Sequence, residues 1–139
     1  MITLAIMKRW KIVLSVSLFI FASCKSTKNE MLPAENGLDA GREFIDGCLK
    51  GDFTKANFYM LQDEVNTQFL KSTEAAFRER DKEGRQELRL ASINIKNITE
   101  PNYTTVELLY SNSYDTSQQK LIIIQQNKKW FVDYKKSFK

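Results

Sequence analysis

Histidine is absent from all 139 residues, and with it go the commonest metal ligand and the commonest general base at neutral pH. A dehydratase or deaminase cavity that works through imidazole is thereby excluded. Cysteine occurs twice, as Cys24 and Cys48, which permits one disulfide at most. There is no P-loop, dinucleotide fingerprint, zinc-ligand spacing or calcium loop, so no cofactor is expected. Asp63 and Glu64 are adjacent, and helical neighbours do not face each other, so they form no metal pair. Internal repeats and low-complexity tracts are missing too. The formal charge of +4 also shrinks on inspection: removing Lys8, Arg9 and Lys11 from the 21 basic residues leaves 18 against 17 acidic ones. The basicity sits at the start of the chain, and a nucleic-acid partner is not expected.

What is present begins with a basic cluster, Lys8-Arg9-Trp10-Lys11, followed by the apolar run Ile12 to Phe21 and the small residues Ala22 and Ser23. That order is the one a secretory signal requires. The run is well short of the roughly 20 apolar residues of a spanning helix. Because signal peptides often begin Met-Lys-Arg, Met7 is an alternative start to Met1.

Phe21-Ala22-Ser23-Cys24 resembles a bacterial lipobox, with Phe21 standing where leucine is usual. The resemblance implies that residues 1–23 are a signal peptide, that cleavage falls between Ser23 and Cys24, and that Cys24 is lipidated and becomes the amino terminus. Several acyl chains, at about 0.8 kcal/mol per buried methylene, make such an anchor effectively permanent. Its partner is the membrane, its location the cell envelope, and the absence of aspartate at position 25 implies the outer membrane. A lipid on Cys24 leaves Cys48 with no disulfide partner.

Residues 24–36 are polar and read as a tether. From 37 to 139 the pattern is that of an α+β domain. Leu38, Phe44, Ile45, Cys48 and Leu49 recur at helical spacing up to Gly51. Asp52 or Thr54 caps a short second helix over Lys55 to Met60, and Asp63 caps a longer one carrying Val65, Phe69, Ala76 and Phe77, with Gly84 as its stop. Alternation then predicts four antiparallel strands. Leu88, Leu90, Ile93 and Ile95 form the first, with a bulge near Ala91 or Ser92 to keep one parity. Tyr103 to Tyr110 follows the Glu100-Pro101-Asn102 turn. Leu121 to Ile124 is apolar on both faces and expected to be covered on both. Asn127-Lys128 turns into the strand Trp130 to Tyr134. Lys128, Lys129, Lys135, Lys136 and Lys139 are expected to keep that last strand soluble.

Phe44, Gly51-Asp52-Phe53 with Ala56, and Lys129-Trp130 with Val132 resemble small lipoproteins of Bacteroidetes-type bacteria whose domain is cystatin-like or nuclear-transport-factor-two-like. The likeness implies a bent sheet wrapped on a long helix with a pocket between them, and a tendency to pair as a homodimer. It implies no activity, since the fold hosts enzymes, binders and inert modules.

Two functional classes follow. The favoured one is a non-catalytic module that binds a small apolar ligand or a protein partner. The alternative is a cavity enzyme of the ketosteroid-isomerase type, with Asp133 as base and Tyr59, Tyr103 or Tyr110 as oxyanion donor. Against it, Asp133 is expected to point to water from an outer strand face, because carboxylates are almost never buried unpaired. Cys48 and Trp130 are expected to be core residues.

Overall fold

The computed structural model describes residues 30–138. The export-signal reading, with Ser23 and Cys24, and Lys139 lie outside the described residues. The observed order is α1 (Gly37–Lys50), α2 (Phe53–Phe58), α3 (Glu64–Glu79), α4 (Lys82–Leu90), then strands β1 (Ile93–Asn102), β2 (Thr105–Asn112), β3 (Gln119–Gln126) and β4 (Lys129–Val132), and a 3-10 turn over Tyr134–Phe138. The four strands form one antiparallel meander in chain order. The class is α+β. No helix among the described residues is long and apolar enough to cross a membrane.

α1 starts where the Asn36 side chain accepts the N–H of Asp39, and it ends at Gly51. Gly51 has φ +75°, and a Cβ there would lie 2.5 Å from the Phe77 ring, so both backbone and space call for glycine. Gly47, one turn earlier, lets α2 approach: a Cβ would come 2.8 Å from the Ala56 nitrogen. Asp52 is the cap of α2, and Asp63 caps α3 by accepting from Asn66 N–H. α1 lies across all four strands. Its buried stripe of Ala40, Phe44, Ile45 and Leu49 packs with Val106, Leu108, Leu121, Ile123 and Val132 of the sheet to form the core.

The middle of the chain departs from the expectation. Gly84 does not stop the long helix, which ends at Glu79 with Arg80 in extended backbone. Asp81 then caps a fourth helix, and Gly84 N–H is its capped donor, 2.8 Å from Asp81 Oδ1. Leu88 and Leu90 are therefore helical rather than the start of a strand. Two leucines two apart mimic the alternation of a strand, whereas on a helix they point to opposite sides, and the carboxylate three residues before Gly84 decides for helix. Leu90 is 77 % exposed, so its apolarity carries no core information.

The first strand begins at Ile93, and its register shifts lie at Ile95/Asn97 and Thr99/Asn102, not at Ala91 or Ser92. It runs through Pro101, which an edge strand tolerates. The turn into β2 falls at Tyr103-Thr104, where Asn102 Oδ1 accepts from Thr104 N–H and Oγ1, each at 3.0 Å. Leu121, Ile122 and Ile123 are all buried. β4 is shorter than expected: Asp133 still donates its N–H to Ile122 O of β3 at 2.8 Å, but Tyr134 already begins the 3-10 turn. Its outer edge is covered by the segment after α2: Val132 N–H donates to Tyr59 O at 2.8 Å and Leu61 N–H to Val132 O at 2.9 Å.

Candidate functional site

A half-open cavity of about 200 Å³ lies between α1, α3, α4 and one end of the sheet. Its apolar wall comes from the α1 stripe, Phe44, Ile45, Cys48 and Leu49, with Phe77 of α3 and Leu88 of α4. These side chains meet because Phe77 lies on the buried side of α3, and Leu88 packs against the core as α4 folds back.

The opposite wall is polar, and its groups are already paired. The Tyr110 hydroxyl, on β2, donates to Gln119 Oε1 at 2.9 Å. Thr73 Oγ1 and Tyr134 OH are 2.9 Å apart, linking α3 to the 3-10 turn. Asn112 Oδ1 accepts from Tyr114 and Asp115 N–H at 3.0 and 2.8 Å, which folds the part of the β2–β3 loop that lines the cavity. Arg80, at the end of α3, reaches across to that loop: Nη1 donates to Tyr114 OH at 2.7 Å and the guanidinium lies 5.1 Å from the ring centre.

Arg80 and Asp115 are the charged residues of the lining, and the rest of it is uncharged. Burial raises the Tyr110 hydroxyl far above its ordinary pKa, and it raises Tyr134 as well, the Thr73 hydrogen bond only partly opposing it. The Cys48 thiol is pushed up to about 12 by burial. Phenols and thiol are therefore neutral near pH 7 and not activated as nucleophiles. Asp115 is the single carboxylate of the lining, and hydrogen bonds from Ser117 hold it below the usual carboxylate range. The arrangement suits an apolar molecule carrying one hydrogen-bonding group.

The residues of the isomerase-like set are not brought together. Tyr110 lines the cavity; Tyr59 donates to Leu32 O at 2.8 Å and lines a separate recess beside Trp130. Tyr103 is 99 % exposed on the β1–β2 turn. Asp133 lines neither space, and its expected solvent-facing position is corrected: it is 1 % exposed. Its carboxylate lies 3.1 Å from Lys136 Nζ, 3.6 Å from Lys135 Nζ and 3.4 Å from Asn66 Nδ2. Partners of this kind are what permit a carboxylate to be buried. Lys135 and Lys136 thus hold a buried charge rather than only guarding an edge. Cys48 and Trp130 are partly buried and pack against the core.

Comparison with family models, with curated proteins and with solved structures finds no match to this chain. Its function is therefore a matter of geometry and chemistry. Among the described residues, no group of three His, Cys, Asp or Glu could hold a metal ion. Arg80, Tyr114, Gln119 and Thr73 carry no local signal that would single them out in the sequence. Asn112 carries a weak one, a short polar side chain able to fold the loop that follows it.

Proposed function

We propose that this chain is a lipid-anchored envelope protein whose domain, cystatin-like or nuclear-transport-factor-two-like in kind, binds a small apolar molecule without transforming it. The cavity between α1, α3 and the sheet carries the reading: one wall is apolar, the other presents hydroxyls and amides together with Arg80 and Asp115, and no activated nucleophile lines it. At about 200 Å³ it falls below the roughly 300–1,000 Å³ of drug-sized sites. Apolar cavities of about 150 Å³ hold a benzene-sized guest. The ligand is accordingly a single-ring aromatic or short branched aliphatic molecule with one hydroxyl or amide.

The role of the lipid is to fix position, and the support for it is the order basic cluster, apolar run, Phe21-Ala22-Ser23-Cys24. Mass spectrometry of the processed protein is expected to find Cys24 at the amino terminus with a diacylglyceryl group on its sulfur. An unmodified Cys24 refutes the anchor while leaving the cavity reading intact.

For the cavity, the detergent-solubilised full chain is titrated with indole, phenol and short branched alcohols while its thermal midpoint is followed. Saturable stabilisation is expected, and Ala76→Phe, which adds bulk to the lining, abolishes it. If none of the panel stabilises the protein, or if Ala76→Phe binds as well as the parent, the cavity is not a ligand site.

A further inference from the structure

The Phe77 ring also borders a second recess, and the chemistry there is different. It is lined by Gly51, Phe53, Phe77, Arg78, Arg85 and Arg89, with no carboxylate among the lining residues. We infer that this recess is an oxyanion site, built for a phosphate group and independent of the apolar cavity.

The three guanidiniums are held in place by part of their donor set and keep the rest. Arg85 Nη1 donates to the carbonyls of Arg78 and Arg80. Arg89 Nε donates to Lys50 O at 3.2 Å, and its guanidinium lies 5.6 Å from the Phe77 ring centre. Arg78 alone has a carboxylate partner, Glu74, reached through Nε at 3.0 Å and Nη2. A guanidinium carries five N–H donors in a rigid fork. Arg85 and Arg89 therefore commit one nitrogen each to the backbone, and within the described residues their remaining nitrogens have no acceptor.

A structural role accounts for those backbone bonds but not for the gathering. Arg89 closes the C-terminal end of α1, where a partial negative charge of about half a unit favours one cation. Within the lining, three guanidiniums stand against the Glu74 partner of Arg78 and that half charge, beside two aromatic rings. Like charges gathered beside low-polarity walls repel, and an oxyanion relieves that repulsion. Planar forks match the paired oxygens of phosphate better than a single point charge does. The occupant is a phosphomonoester or pyrophosphate group, borne by a soluble molecule or by a lipid headgroup.

The test uses the full chain in neutral detergent micelles, with the arginine Nε–H resonances observed by NMR. Inorganic pyrophosphate in free solution probes the soluble source; micelles doped with phosphatidic acid probe the headgroup. Shifts of Arg85 and Arg89 with pyrophosphate assign a soluble ligand, and shifts confined to the doped micelles assign a headgroup. Arg85→Gln is expected to weaken binding about tenfold or more, whereas Arg78→Gln, whose fork is already shared with Glu74, weakens it less. Arg85→Lys, which keeps the charge and a donor for the backbone carbonyls, falls between them and guards against loss of the fold. The inference is overturned if neither probe moves the Arg85 and Arg89 signals, or if the Arg85 variants bind as the parent does.

Discussion

Asn66 on α3 places its Nδ2 3.4 Å from Oδ1 of Asp133, just past β4, so that two fully buried polar side chains 67 residues apart tie the long helix to the end of the sheet. The same amide group donates to Leu61 O at 3.1 Å and Asp63 Oδ2 at 2.9 Å, while Oδ1 accepts Lys135 N–H at 2.7 Å. Asn66→Ala removes all of these at once. Leaving a buried donor or acceptor unpaired costs about 1–3 kcal/mol per group, so a loss of about 2–4 kcal/mol in urea unfolding is expected. A loss below about 1 kcal/mol would show that water replaces the amide without penalty.

Asp63 sits beside that network and gives it a pH dependence. Its carboxyl is held below the usual range, first by the Asn66 N–H and then by Lys135. A group whose folded pKa is depressed stabilises the fold above its unfolded pKa of about 3.9, and that contribution is lost as pH falls through the folded value. Asp63→Asn keeps an effective helix cap but cannot ionise. The parent is expected to lose stability steeply below about pH 4, and the Asp63→Asn variant to lose less over the same interval. Superimposable acid-unfolding curves would remove Asp63 from the account.

The legible parts of this fold are the ones encoded locally. The Phe44, Ile45, Leu49 stripe, the stop at Gly51 and the caps at Asp52 and Asp63 each depend on residues within one or two helical turns. The α4 helix is hidden because Leu88 and Leu90 mimic the alternation of a strand although only Leu88 packs on the core, and the deciding Asp81–Gly84 contact looks like a loop in sequence. Asp133 escapes sequence reasoning for a different cause. Its burial depends on Asn66, 67 residues away, and on a 3-10 turn that brings Lys136 back over it. The cavity is less visible still, since its polar wall is assembled from α3, β2, β3, a loop and the final turn. No window of sequence contains it.

Asn127 and Lys128 form the β3–β4 turn with φ of +51° and +62°, the sign pattern of a type I′ hairpin. Asparagine tolerates the left-handed region, but lysine there carries a steric cost of about 1–2 kcal/mol. Glycine removes that cost and loses about 0.5–1 kcal/mol to its greater unfolded freedom. Lys128→Gly is expected to stabilise by about 0.5–1 kcal/mol in chemical denaturation. Lys128→Ala, which removes the charge but not the steric conflict, is the control and is expected to give no gain.

Cys48 reports on the cavity directly, since its sulfur sits in the apolar wall. With the thiol pushed up to about 12, the thiolate fraction at pH 8 is about a thousandfold below that of a free cysteine. A more basic thiolate is also more nucleophilic, which returns part of that loss. Alkylation of Cys48 by iodoacetamide in the native protein, followed by peptide mass spectrometry, is therefore expected to run slower than in urea by about tenfold or more. A guest in the cavity slows it further, because it covers the sulfur, whereas pyrophosphate in the arginine recess leaves the rate unchanged. Native alkylation as fast as in urea would mean that the thiol is open to water, and the apolar wall on which the binding proposal stands would be gone.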